Sequence, residues 1–208
     1  MKIVTLAQGK GGTGKSAASI SLACEAVRRG ERAAILDMDD GQWSADAWGK
    51  RRKEPQPAVM RAEPFKLAGM LSTLREDGCA WVFIDLPGRN TPAANAGVAA
   101  SDFVLIPSRP VAMDAEASVG TVQSCIRAKR PYAYLVNIAS AQADKARARR
   151  FSSELAEAGQ PVCPVIIVQR VIVSDAIAEG LCPCETESAG ASAAEFAAVF
   201  SWLTETLK

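Results

Sequence analysis

Short, almost wholly apolar runs recur along the chain and alternate with longer stretches in which apolar residues return every three or four positions. The first run, residues 2–7 (KIVTLA), leads into a glycine-rich stretch, and residues 16–28 then carry alanine, leucine and isoleucine at helical spacing until Gly30 ends the pattern. Residues 32–37 (RAAILD) form the next apolar run, so the opening reads as strand, loop, helix, strand: a βαβ unit, which requires a parallel sheet and a right-handed crossover. Further strands are expected at 81–85 (WVFID), 103–107 (FVLIP), 132–137 (YAYLVN) and 164–168 (PVIIV), with helices at 66–76, 91–100, 112–127, 141–158, 174–179 and 191–207. The strand runs are near-continuously apolar rather than alternating, so both faces of the sheet need a helical cover. The expectation is one α/β domain over residues 1–208, with a mostly parallel central sheet flanked by helices on both faces. Residues 50–64, proline-rich in their later part, read as a surface excursion and not as a domain boundary.

A chain of 208 residues with 49% hydrophobic composition can bury a sizeable core as one domain. No uncharged apolar run approaches the roughly 18 residues of a membrane span, and a lysine and a short apolar stretch lead straight into the glycine loop. A soluble, cytoplasmic protein without a signal peptide is expected. The six cysteines, Cys24, Cys79, Cys125, Cys163, Cys182 and Cys184, are scattered and sit mostly in apolar stretches, which fits a reducing compartment. The C-P-C at 182–184 reads as a tight loop; half of a metal site shared in a dimer is the other reading, weakened by the absence of histidine and the spacing of one residue. The net charge of +1 predicts no particular partner. Locally the balance changes: residues 127–150 hold seven basic residues against Asp144 alone, and 50–53 read KRRK. Such runs are phosphate-backbone contacts or solvated faces.

The strongest chemical signal is residues 9–16, GKGGTGKS, which satisfy G-x-x-x-x-G-K-[ST] between an expected strand and an expected helix. Gly9, Gly11, Gly12 and Gly14 allow the backbone to wrap an anion, and the free amides and dipole of the following helix favour phosphate. Lys15 is expected to reach the terminal phosphates and the Ser16 hydroxyl to ligate Mg²⁺. Asp85 ends an apolar strand at the edge where open α/β sheets bind ligands, which makes it a candidate for holding the same ion, with residues 86–88 (LPG) sensing the terminal phosphate. Asp37, Asp39 and Asp40 end the second strand; a solvated acidic loop is one reading, and a carboxylate that positions or deprotonates an attacking water is the other. The loop also holds a second lysine, Lys10, where phosphate binding needs one.

K-G-G-T-G-K-S with its early lysine, D-M-D at 37–39, F-I-D-L-P-G at 83–88 and V-L-I-P-S-R-P at 104–110 together resemble the deviant Walker A ATPases of the ParA/MinD group, P-loop NTPases, and most closely the short ParA-type partition ATPases that lack an N-terminal DNA-binding domain. The similarity runs over nearly the whole chain. It implies ATP as nucleotide and Mg²⁺ as cofactor, a nucleotide site of Gly9, Lys10, Gly11, Gly12, Thr13, Gly14, Lys15, Ser16 and Ala17, and a metal site of Ser16, Asp37 and Asp85. It also implies that Lys10 crosses the interface of an ATP-sandwich homodimer to the phosphates of the other subunit, and that Lys10, Lys15 and Asp39 are catalytic, Asp39 orienting the attacking water. Asn137 matches a position that often contacts adenine, although a strand-end asparagine is as often a turn former. The family commonly continues D-P-Q after the second aspartate; this chain has Asp40-Gly41-Gln42, without the proline and with one residue more, which puts the geometry of that loop in question.

The resemblance further implies non-specific DNA binding by the ATP dimer through basic residues of the C-terminal half, for which Lys145, Arg147, Arg149, Arg150 and Arg170 are the candidates, solvated helix charge being the competing reading. The expected role is segregation or positioning of a plasmid, chromosome or other cargo by a cytoplasmic, nucleoid-associated ATPase whose slow hydrolysis is stimulated by a ParB-like centromere-binding or adaptor protein. A MinD-like membrane-associated ATPase is the alternative. Residues 195–208 carry Phe196, Val199, Phe200 and Leu203 at helical spacing but only Lys208 as a base, so packing on the core is expected and membrane contact is not. A metallocluster carrier of the same fold would show C-x-x-C, and the early lysine speaks against a metabolic ligase.

Overall fold

A computed structural model of the chain describes residues 1–89, 91–139, 145–186 and 190–208, with the side chain of Lys145 excepted. Six strands, β1 (Lys2–Leu6), β2 (Ala33–Asp37), β3 (Ala58–Arg61), β4 (Trp81–Asp85), β5 (Phe103–Ser108) and β6 (Tyr132–Val136), pair in the order β3-β2-β4-β1-β5-β6, every pair parallel. The helices are α1 (Lys15–Arg28), α2 (Ser44–Arg51), α3 (Leu67–Glu76), α4 (Pro92–Ala100), α5 (Ala112–Ala128), α6 (Lys145–Glu157), α7 (Val171–Ala178) and α8 (Gly190–Thr206).

The strands are mostly apolar because successive side chains enter two different cores. Val4, Leu6, Ile35, Trp81, Phe83, Leu105 and Leu135 face the layer that holds α1, α2 and α8. Ile3, Leu36, Val82, Ile84, Val104, Ile106 and Val136 face α3, α4, α5 and α6. In the first layer Trp81 stacks on Phe83 at 6.0 Å and meets Phe200 of α8 at 4.8 Å. Burying one such ring stabilises the fold by about 2–3 kcal/mol. The register places Leu6 and Asp37 beside Asp85, so three strands end in one row at the carboxyl edge.

Two segments depart from the sequence expectation. Residues 58–61, expected within a surface excursion, pair with β2 as the edge strand β3, and residues 50 and 51 belong to α2, a helix the apolar pattern had not shown. The segment 164–168 is not a strand: it runs beside β6 with only the bridges Tyr134↔Val162 and Ala139↔Val168. Pro161 and Pro164 carry no amide hydrogen, so this segment cannot build a full ladder. The helix expected over 141–158 is described from Lys145 to Glu157, and its first residues lie outside the described ones.

Candidate nucleotide site

The loop between β1 and α1 lies at the carboxyl edge of the central strands, with the ends of β2 and β4 on one side and of β5 and β6 on the other. Gly12 and Gly14 hold φ values of 74° and 84°, left-handed backbone that favours glycine, and a Cβ on Gly14 would strike the amide of Asn137. Gly88, from the loop after β4, comes so close that a Cβ there would lie 2.8 Å from the amide nitrogen of Gly11. A cleft of about 360 Å³ is lined by Gly11, Gly12, Gly14, Lys15, Ser16 and Ala17 of the loop, by Asp39, Gly41 and Gln42 after β2, and by Pro87, Gly88 and Arg89 after β4. On the far side of Gly14 and Ala17 lies a second, more apolar cleft of about 390 Å³, formed with Asn137, Ile138, Gln169, Arg170, Val173 and Phe196 among others.

The carboxylates at and beneath the first cleft differ sharply. Asp85 is 1% exposed, and neither of its oxygens has a hydrogen-bond partner. Burial pushes its pKa up to about 7, against the nearby Ser16 hydroxyl and the Lys15 ammonium, which act to lower it. Asp37 is equally buried, but its Oδ1 accepts from the amide of Asp39 and its Oδ2 from the amide of Asp46, each at 3.0 Å. Asp37 thus shapes the loop that carries Asp39. Asp39 accepts the amide of Gly41 at 3.2 Å and faces the cleft. Asp40, the residue that makes this loop unusual, pairs with Arg89 at 2.6 Å and so joins the two outer walls.

Lys15 is 7% exposed; its Nζ donates to the carbonyl of Lys10 at 3.3 Å. Burial lowers its pKa, and Asp85 and Asp39 offset this in part. Lys10 turns the other way and pairs with Asp114 of α5 at 3.0 Å. Asp114 is fully buried and also takes the Arg109 side chain at 2.8 and 2.9 Å. These hydrogen bonds outweigh desolvation and hold its pKa down at about 2. Gln8 ties the same corner, donating to Ser108 Oγ at 2.9 Å and to the Asp114 carbonyl at 3.2 Å. Asn137 donates to the carbonyl of Thr13 at 2.8 Å, which steadies the glycine loop while the residue lines the apolar cleft.

A family model described as the CobQ/CobB/MinD/ParA nucleotide binding domain matches residues 4–184. The chain belongs to this family. Among curated relatives, protein ParA of Rhizobium radiobacter is 29% identical over 126 residues, covering 59% of this chain and 55% of its own. Maintenance of carboxysome distribution protein A of Gloeobacter kilaueensis is 31% identical over 127 residues, covering 60% and 57%. The chain thus aligns with little more than half the length of these relatives. Among solved structures, the septum site-determining protein MinD of Pyrococcus horikoshii, in complex with Mg-ADP, superposes with a TM-score of 0.75 over 97% of this chain and 95% of its own at 16% identity, a likeness of fold.

Within this CobQ/CobB/MinD/ParA fold Lys15, Ser16 and Asp39 line one cleft, and Asp85 is buried beside Lys15 and Ser16 without lining it. Asp37 stands behind it with both oxygens engaged by backbone. The basic candidates do not form one group. Arg147, Arg149 and Arg150 lie on the exposed side of α6, opposite the buried Ala148, Phe151 and Leu155. Arg150 also pairs with Glu154 at 2.7 Å. Arg170 stands apart from them: its guanidinium grips Glu195 of α8 at 2.7 and 2.8 Å and donates to Ser192 Oγ at 3.2 Å, joining the start of α7 to α8. Sequence reasoning missed Asp114, Gln8 and Arg89. Each stands outside the glycine motif, and only the spacing of acid and base in R-P-V-A-M-D at 109–114 hinted at a local pair.

Proposed function

We propose that the chain is a ParA-type ATPase that binds ATP with Mg²⁺, dimerises around the nucleotide, binds DNA without sequence preference and hydrolyses ATP to segregate or position a cargo. The observation that carries the nucleotide chemistry is the orphaned carboxylate of Asp85, buried beside Lys15 and Ser16. A buried anion without a partner is costly, and a hard cation with oxygen ligands relieves that cost. Ser16 and Asp85 are the residues that would hold the ion, and Mg²⁺ there supplies neutralisation of charge on the phosphate oxygens. Lys15 binds the terminal phosphates, Gly11, Gly12 and Gly14 present backbone amides to them, and Asp39 orients the attacking water on a loop that Asp37 holds in place. The apolar cleft beyond Gly14 takes the base, with Asn137 at its edge. Residues 1–208 act in this reading as one ATPase domain.

Lys10 is the residue for the second subunit. In this reading it leaves Asp114 and reaches the phosphates bound by the partner, which couples ATP to dimerisation. Arg147, Arg149 and Arg150, together with Lys145 at the start of the same helix, supply the DNA surface through phosphate contacts. A ParB-like or adaptor protein stimulates turnover at the nucleoid. The MinD-like reading finds no support in the last helix: Phe196, Val199, Phe200 and Leu203 of α8 are all buried against the sheet, and among the described residues no helix is long and apolar enough to cross a membrane.

The test is binding to an unrelated DNA duplex with ATP, with ADP and with no nucleotide, over a salt series, beside Lys15→Ala and Lys10→Ala. The expected result is tight binding with ATP alone, falling steeply with salt and lost in both variants. Lys10→Ala is expected to retain nucleotide and lose the dimer. Binding independent of nucleotide, or a Lys10→Ala dimer that forms normally with ATP, would refute the switch.

A further inference from the structure

Two thiols and a carboxylate from segments far apart in sequence meet behind the nucleotide site, with a third thiol beside them. Cys24 lies on α1, about 2.5 turns beyond Lys15. Cys182 and Cys184 lie at the start and middle of a 3-10 turn, Pro183–Glu185, that packs against α1 and α8. The Cys182 sulfur is 3.2 Å from that of Cys184 and 3.1 Å from Glu185 Oε2. The ligand atoms of Cys24, Cys182 and Glu185 all lie within 4.8 Å of one another, the one such group of metal-ligating side chains among the described residues. Cys24 and Cys182 are 2% and 0% exposed, and Cys184 is half-buried.

We propose that Cys24, Cys182, Cys184 and Glu185 bind one thiophilic d¹⁰ cation, zinc(II). The C-P-C spacing by itself makes a poor zinc motif, and the third thiol comes from a helix whose position the sequence does not reveal. Zinc–sulfur bonds of about 2.3 Å put thiolates in tetrahedral coordination roughly 3.8 Å apart; Cys24, Cys182 and Glu185 already lie within reach of one ion, and Cys184, outside that group but 3.2 Å from Cys182, turns its side chain in as the fourth ligand. A carboxylate among the thiols favours zinc over copper(I), which selects sulfur alone. Glu185 is already oriented: Arg52, its side chain 4% exposed, contacts Oε1 at 2.6 Å and Oε2 at 2.9 Å, and the amide of Cys182 donates to Oε2 at 3.0 Å. Arg52 thus acts as the outer partner that fixes a ligand and balances the charge left when the thiols release their protons to solvent on binding the ion. The bound ion would fasten the rear of α1 to the C-terminal part of the chain. The site shares no residue with the nucleotide clefts and does not depend on the function proposed above.

The test uses the purified chain, stripped with a chelator under a phosphine reductant and kept free of nucleotide. It is titrated with cadmium(II), read by thiolate-to-metal charge-transfer absorbance, and with zinc(II) against a chromophoric chelator. One ion per chain is expected. Cys184→Ser, which changes the thiol nearest solvent, is expected to weaken binding at least about tenfold with an unchanged circular dichroism spectrum, and Cys24→Ala to weaken it similarly. Cys79→Ala and Lys15→Ala are expected to bind as the parent does, so loss of the nucleotide function leaves this result intact. Absence of charge-transfer bands in the parent, or equal affinity in parent and Cys184→Ser, overturns the proposal. So does a reduced chain that takes no ion but is converted by hydrogen peroxide to a Cys182–Cys184 disulfide, since the pair would then be a redox couple.

Discussion

Asp37 and Asp85 occupy the same register row of neighbouring strands and are both sealed from solvent, yet only one is bonded. Replacing Asp37 by Asn puts a donor where the chain offers only donors, and a loss of about 1–3 kcal/mol is expected in chemical denaturation. Asp85→Asn is expected to change the stability of the ligand-free chain little, since it removes a buried charge together with the carboxylate that offsets the buried Lys15 ammonium, while abolishing Mg²⁺-dependent hydrolysis. The same reasoning has a pH signature. The folded pKa of Asp85, at about 7, stands above its ordinary 3.8, so its contribution favours the fold at low pH and is lost as pH rises through that interval. Asp114 behaves oppositely: depressed to about 2, it stabilises the fold above its ordinary 3.8 and loses that effect as pH falls through 2. The melting temperature of Asp114→Asn is therefore expected to lie below that of the parent at pH 7 and to converge with it in strong acid. At this scale the glycine loop, Lys15 and Ser16 were legible because their spacing is local. Asp114 was not, since its engagement with Lys10 joins a loop to a helix a hundred residues away.

The elements carry the glycines into contact. Gly88 rests against Gly11, so Gly88→Ala is expected to push the loop after β4 away from the phosphate loop and to weaken nucleotide binding more than tenfold, read by calorimetry, with little change in the melting temperature of the nucleotide-free chain. Alternating apolar runs and helical periodicity revealed five of the six strands and most helices, because each buries a continuous face. They failed at β3, a four-residue edge strand with partly exposed side chains that follows a proline-rich stretch, and at 164–168, where apolar composition suggested a strand that proline prevents.

For the molecule as a whole, the basic residues divide into a surface and a brace. Reversing charge at Arg147, Arg149 and Arg150 together is expected to weaken ATP-dependent duplex binding at all sequences and to flatten its dependence on salt. Arg170→Ala is expected to spare the DNA affinity per folded chain and to lower stability by about 1–2 kcal/mol in denaturant, because it frees Glu195 and loosens α7 from α8. The linear sequence places these four arginines in one half of the chain; only the packing of α8 against the start of α7 separates them.

The pairing of Asp40 with Arg89 reaches further than its own strength. Both side chains are more than half exposed, so the contact is weak and easily screened, but it laces together the two loops that form the mouth of the phosphate cleft. The one-residue departure after Asp39 therefore acts as a latch on entry and exit more than as a determinant of affinity. Raised ionic strength, or Arg89→Ala, is expected to speed both the arrival and the departure of a fluorescent nucleotide in stopped flow, leaving their ratio nearly constant. In the cycle proposed above, the time a nucleotide dwells would then be trimmed at the rim of the site as well as fixed at its floor.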